Sequence, residues 1–218
     1  MAKRSYHHGD LRRALLDATA EAIGEAGPAA LSLRDLARRA GVSHAAPMHH
    51  FGDKAGLLTA FAAEGFDKLS AELSAGSGEF LEAGVAYVRF ALAHRAHFEV
   101  MFSPGLYRAE DADLAAARQR ARRALYEGLA AMRARPDPAR PDPARPDPAR
   151  PDPARPDPGR TVGGSAGEWD ETRAAGLAAW SVAHGFATLW LSGALPGTSA
   201  APEDAARLVF ARLRDGVG

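Results

Sequence analysis

LSLRDLARRAGVSHAAPMHHFGDK, Leu31 to Lys54, spells two short helices joined by a tight turn. Ser32 stands where a helix cap belongs, able to accept backbone N–H bonds, and Asp35, three residues on, puts a carboxylate near the positive end of the helix. Leu33, Leu36, Ala37 and Ala40 recur at helical spacing on one face while Arg34, Arg38 and Arg39 point elsewhere, so the first helix is short and amphipathic. Gly41 ends it, because glycine enters the left-handed conformation without a Cβ penalty. Val42 plugs the turn, and Ser43 is predicted to cap a second helix of about two turns that ends at Phe51.

On that second helix Pro47, His50 and Phe51 lie at i, i+3 and i+4 and form the packing face, and His44, Ala45, Met48 and His49 form the outward one. Pro47 is tolerated because its missing N–H falls in the first turn, where few intrahelical bonds exist. A helix pair with a glycine-containing turn, whose second helix turns small and polar residues outward, suits insertion into the major groove of DNA. The side chains placed to meet DNA are Ser32 and Arg34, then Ser43, His44, Ala45, Met48 and His49, and finally Lys54. Lys54 follows the Asp53 cap of the next helix, where a positive helix end and an ammonium favour a phosphate. The blander reading of Lys54 is a surface lysine, and of His50 a residue that packs and orients the turn.

The 218-residue chain carries 27 basic and 27 acidic residues and no cysteine. A net charge of zero excludes a generally adhesive polycation, so any nucleic-acid contact depends on where charge sits. Up to Lys54, Lys3, Arg4, Arg12, Arg13, Arg34, Arg38, Arg39 and Lys54 outnumber Asp10, Asp17, Glu21, Glu25, Asp35 and Asp53 by eight to six. Neither disulfides nor thiolate metal sites are available, no apolar run reaches a membrane span, and Met1 to Ser5 lacks a signal peptide's hydrophobic region, so a cytoplasmic protein is expected. No nucleophile elbow, phosphate loop or zinc-protease signature occurs. The His7-His8 and His49-His50 pairs make poor metal sites, since neighbours on a helix point about 100 degrees apart. Catalysis, metals and cofactors are therefore not expected.

Working outward, Asp10 reads as the cap of a helix through Leu11, Leu15, Ala18, Ala22 and Ile23, stopped by Gly27-Pro28 and preceded by a basic arm of Lys3, Arg4, His7 and His8. After Asp53, Leu57, Leu58, Phe61 and Leu69 continue an apolar stripe to about Ser74, and Gly76 to Gly78 break it. Helices are predicted over 79–94, 96–102 and 113–134, the last with Arg118, Arg120, Arg122 and Arg123 as a solvated face. From Glu168, the residues Trp169, Leu177, Trp180, Val182, Ala183, Phe186, Leu189 and Trp190 make a helix apolar around much of its circumference, and Pro202 starts a last one. This pair predicts a subunit interface, a four-helix bundle across a two-fold axis, with packing inside one subunit as the rival.

Ala-Arg-Pro-Asp-Pro occurs five times, beginning at Ala134, Ala139, Ala144, Ala149 and Ala154. Alternate prolines remove N–H donors and push the preceding residues into extended conformations, so 134–167 is predicted to be a disordered or polyproline-like linker. Each copy holds one Arg and one Asp and is neutral, as expected of a tolerated expansion in a surface loop.

The first 70 or so residues resemble the DNA-binding domain of the TetR/AcrR family of bacterial transcriptional regulators. The resemblance rests on the Leu11 helix, LSLRDLARRAGVS, Ala45 to Phe51 with His50-Phe51, and Asp53-Lys54 before Leu57-Leu58. The remainder resembles the WHG-type ligand-binding domain of some of these regulators, through Trp180, His184 and Gly185 and through Phe90 to Phe102. The resemblance implies an all-α homodimer with a helix-turn-helix DNA-binding domain over 1–74. A C-terminal effector-binding and dimerisation domain over 75–218 would set the separation of the two heads. Where the family's second helix usually carries a tyrosine that reaches a phosphate, this chain has Met48, which cannot donate.

Met101, Phe102, Trp180, His184 and Trp190 are candidates to line a pocket for a mostly apolar effector, with His184 as its polar handle; otherwise they make core. The function expected is a sequence-specific, ligand-responsive repressor that binds a DNA operator and a small-molecule effector as a homodimer. The alternative is an interaction protein derived from a helix-turn-helix that no longer binds a specific operator, with a small-molecule-modifying helical enzyme as a third class.

Overall fold

The computed structural model describes residues 8–75, 80–133, 171–195 and 200–214, and these contain helix and loop but no strand. Residues 1–7, Trp169 and the linker predicted at 134–167 lie outside the described residues. Helix α1 (His8–Ala26) begins before Asp10, which therefore sits within the first turn and not at the cap. An aspartate in either place meets the positive end of the helix, so its charge does not fix the boundary.

A 3-10 turn over Pro28–Ala30 leads into α2 (Leu33–Arg39), α3 (Ala46–Phe51) and α4 (Lys54–Ala75). Leu15, Leu16 and Ile23 of α1, Leu36 of α2, Phe51 of α3, and Leu57, Leu58 and Phe61 of α4 belong to one buried cluster. Each fully buried side chain of this size is worth about 1.5–3 kcal/mol. Gly41 closes α2 with φ 66, the left-handed conformation that the turn requires and that a side chain would strain. Val42 donates its N–H to the Ala37 carbonyl at 2.9 Å and packs half-buried against the core.

Beyond the head come α5 (Phe80–Ala93), α6 (Arg95–Met101), a 3-10 turn over Pro104–Leu106, α7 (Ala112–Arg133), α8 (Glu171–Leu191) and α9 (Pro202–Arg214). The α4 helix runs on from the head to lie along α7, flanked by α6 and α5. Its close approach to α6 depends on Gly65, where a Cβ would come within 2.9 Å of Met101 Cγ and 3.1 Å of His97 Cβ. Helices α8 and α9 pack on α5. Phe186 and Phe210 meet there with ring centroids 5.9 Å apart, and Arg207 pairs with Glu82 at 3.0 Å. The outer side of the same two helices leaves Leu208 69% and Leu189 46% exposed.

The predicted solvated arginine face of α7 is only partly solvated. Arg123 is exposed and Arg120 pairs with Asp67 of α4 at 2.7 Å, but Arg118 is half-buried, its guanidinium 5.6 Å from the Phe66 ring centre and 5.3 Å from that of Tyr107. The reason is register. Arg118 lies four residues after Leu114 and three before Ala121, both buried, and so shares their inward face.

Candidate functional site

Three arginines on α2 are sorted by their acids. Arg38 and Arg39 both donate to Asp35 at 2.6 Å, and Arg39 also reaches Glu25 of α1 at 2.7 Å. The hydrogen bond from Arg39, then that from Arg38, holds the Asp35 carboxyl below its usual range, and Arg39 does the same for Glu25. Arg39 thus ties α2 to α1, and Asp35 holds Arg39 and Arg38 in place. Arg34 is exposed and has no ion pair or hydrogen bond among the described residues. Ser32 does occupy the N-cap of α2, yet its side chain makes no capping bond, leaving an exposed hydroxyl next to Arg34.

Helix α3 starts at Ala46, with Ala45 and not Ser43 at its N-cap. The physical reason is Pro47. Were Ser43 the cap, the first intrahelical donor to its carbonyl would be the N–H of residue 47, which proline lacks; starting at Ala46 puts proline second, where no donor is needed. The Ser43 carbonyl accepts instead from the Ala46 N–H at 3.0 Å. Ser43 and His44 are consequently turn residues and not helix residues. Even so, Ser43, His44, Ala45, Met48 and His49 are all exposed, while Pro47 and Phe51 are buried and His50 is half-buried. Met48 is the largest outward side chain, 62% exposed.

Lys54 makes one hydrogen bond within the head and keeps two ammonium donors for a phosphate. Its Nζ donates to the Ala29 carbonyl at 2.9 Å, which fastens the start of α4 to the 3-10 turn. Asp53 caps α4 as predicted, accepting the Gly56 N–H at 2.7 Å, and that bond is the main cause of its lowered pKa. The other Asp53 oxygen accepts from the Arg108 guanidinium at 2.8 Å, and the Arg108 backbone N–H donates to Thr59 Oγ1 at 3.0 Å. Arg108 thus grips the first turns of α4 from the loop that precedes α7.

A cavity of ≈ 460 Å³ lies between α4, α5, α6, α7 and α8. Met101, Phe102 and Trp180 line it, as expected, together with Tyr87, Arg118 and Arg122. His184 and Trp190 do not line it. His184 sits behind Tyr87, whose hydroxyl lies 2.9 Å from its Nδ1 and accepts the Trp180 indole N–H at 3.2 Å. Because the indole can only donate, the Tyr87 hydroxyl keeps its own hydrogen available for Nδ1, and the direction of that bond follows the His184 tautomer. Burial lowers the His184 pKa and raises that of Tyr87, so both stay neutral. The predicted polar handle therefore orients Tyr87 and does not face the cavity. Trp190 stacks on Phe186 at 5.7 Å; ten residues past Trp180, it is roughly 15 Å further along the helix axis.

Arg118 is the polar group that the sequence reading passed over. Its Nη2 donates to the Tyr107 hydroxyl at 2.7 Å, and that hydroxyl donates to the Met101 carbonyl at 2.8 Å. The spacing from Leu114 and Ala121 was the available signal, masked by the neighbouring arginines. No group of three or more potential metal ligands occurs among the described residues.

Residues 80–213 match the family described as tetracyclin repressor-like, C-terminal domain, and residues 15–61 match bacterial regulatory proteins, tetR family. The HTH-type transcriptional regulator BetI of Escherichia coli is 53% identical over 49 residues, which are 22% of this chain and 25% of BetI. The chain therefore covers only a quarter of the length of that curated relative. Among solved structures, a protein of unknown function from Rhodococcus sp. RHA1 aligns at TM-score 0.67 and 29% identity over 95% of each chain. The TetR family transcriptional regulator PfmR from Thermus thermophilus aligns at 0.60 and 19% identity, over 94% of this chain and 98% of that one, a likeness of fold alone. With one family match spanning more than half of its length and the other covering α2 and α3, the chain belongs to the TetR family of transcriptional regulators, and its N-terminal helices are the family's DNA-binding helix-turn-helix.

Proposed function

We propose that this regulator is a homodimeric, effector-responsive repressor, with a head over 1–74 and an effector-binding and dimerisation part of the WHG type over 75–218. Each head lays α3 in a major groove of a partly palindromic operator. The observation that carries this reading is the division of α3, with Pro47 and Phe51 buried while Ser43, His44, Ala45, Met48 and His49 are exposed, as are Ser32 and Arg34 at the start of α2. In this geometry Met48 supplies an apolar contact suited to a thymine methyl group, and Arg34, Ser32 and the remaining donors of Lys54 supply phosphate contacts. The work is placed in the cytoplasm, where the DNA is.

Selection from random duplexes with the purified protein is expected to return a two-fold-symmetric consensus. On that operator, Arg34→Ala is expected to weaken binding about five- to tenfold for all sequences alike and to reduce the salt slope by about 1. Unchanged affinity and slope would remove Arg34 from the interface. Recovery of no consensus would favour the second reading, an interaction protein, for which exposed Met48 is the motivating residue.

Dimerisation is assigned to the outer side of α8 and α9, where Leu189, Leu208 and Val209 are exposed apolar residues. A patch of this kind on a protein that must meet a symmetric site fits an isologous interface. Leu208→Glu buries a charge on each side of such an interface, and sedimentation equilibrium is expected to show monomers where the parent chain is dimeric. A dimer of undiminished affinity would place the interface elsewhere.

A further inference from the structure

We propose that the cavity takes an amphipathic carboxylate, its apolar body among the aromatic walls and its head group bound by Arg118 and Arg122; this rests on the effector reading above. The cavity wall holds two cations and no acid among the described residues. A guanidinium facing an apolar cavity without a counter-ion is costly unless something anionic joins it. Arg118 uses two of its five N–H donors, on Tyr107 and, at 3.3 Å, on the Ala109 carbonyl. The remainder suits the two oxygens of a carboxylate, which guanidinium binds in a forked geometry. Arg122, one helical turn further along α7, is exposed and supplies a second charge on the same wall.

The aromatic walls raise a rival, a quaternary ammonium held by ring faces. Two of those rings are already covered by a cation, since the Arg118 guanidinium lies over both Phe66 and Tyr107. A second positive charge there meets repulsion and no acid to offset it. A neutral apolar ligand would fill the space and leave Arg118 without a counter-ion.

The test compares decanoate, decan-1-ol and decyltrimethylammonium, each titrated into the full-length protein by isothermal titration calorimetry, which reads binding without relying on any one of the three tryptophans. Decanoate is expected to bind at least about tenfold more tightly than either of the others. Arg122→Gln, at an exposed position, is expected to lower decanoate affinity several-fold and to leave decan-1-ol unchanged, and Arg118→Gln is expected to do the same more strongly. Equal affinities, preference for the cation, no binding of any of the three, or a parallel loss for decan-1-ol in the Arg122→Gln protein would each overturn the proposal. Release of operator DNA is measured separately by gel shift. Carboxylate selectivity without release would refute the effector reading alone, whereas release by all three ligands alike would refute the carboxylate and leave the effector reading standing.

Discussion

Phe51→Ala is expected to lower folding stability by about 3–5 kcal/mol and to abolish operator binding at protein concentrations that saturate the parent. Helix α3 has six residues, no side-chain bond at its cap and a proline at its start. A helix that short has no stability of its own in water, so its direction is set by its buried residues, Pro47 and Phe51. Phe51 is 8% exposed, joins the core with Leu36 and Leu57, and lies under the Arg12 guanidinium at 5.7 Å. Removing the ring leaves a void at the junction of three helices and unfastens the surface that meets DNA. Met48→Ala, on the opposite side of the same helix, is the control, expected to change stability by less than about 0.5 kcal/mol. Urea unfolding and gel shift measure both variants. Normal operator affinity in Phe51→Ala, or a matching loss of stability in Met48→Ala, would contradict this account of α3.

The second large effect is acid lability centred on His97. This imidazole is buried between α6 and α4, stacked on Phe61 with ring centres 3.9 Å apart, and its Nε2 has no hydrogen-bond partner. Glu64 is the nearest acid at 3.8 Å, too long for a hydrogen bond, and its carboxylate faces Lys68 at 2.9 Å. Burial first, then the charges of Lys68 and His94, outweigh the opposing pull of Asp17 and push the His97 pKa down to about 3. Burial also lowers His94. An unfolded imidazole titrates near 6.5, so between those two values the unfolded chain binds a proton that the folded chain refuses. Stability is therefore complete above about pH 6.5 and falls as the pH drops, by up to about 4 kcal/mol on reaching pH 3–4 from this group alone. His97→Leu, close in volume, is expected to flatten that slope while leaving stability at pH 7 within about 1 kcal/mol. Urea midpoints at pH 7, 6, 5 and 4 decide it, and parallel pH profiles for the two proteins would rule out His97 as the source.

Most helices could be read from local pattern, because their stops, Gly27-Pro28, Gly41 and Pro104-Gly105, act through backbone conformation that depends on few neighbours. The start of α3 was misplaced by a rule that is equally local: Ser43 is a good cap in isolation, but the proline four residues later cannot donate to its carbonyl. The cavity was half legible. Met101, Phe102 and Trp180 announced themselves by size, whereas His184, expected as the polar handle, and Trp190 of the same aromatic stripe do not line the cavity, helix rise carrying Trp190 away. Arg118 was hidden because a charged residue between apolar ones is ordinarily solvent-facing, and only the packing of Phe66 and Tyr107 around it reveals otherwise. The engagement of Lys54 by Ala29 joins residues 25 positions apart, a contact that no periodicity encodes.

Arg108 follows Tyr107 directly in the chain, and the two residues face opposite ways: Tyr107 holds the cavity arginine, Arg108 holds Asp53 and Thr59. One peptide bond thus separates a residue at the cavity wall from a residue fastened to the first turns of α4. Linkage makes any coupling between the two sites equal in both directions, so under the effector-responsive reading proposed above a ligand that loosens DNA binding is itself held less tightly by the DNA-bound protein.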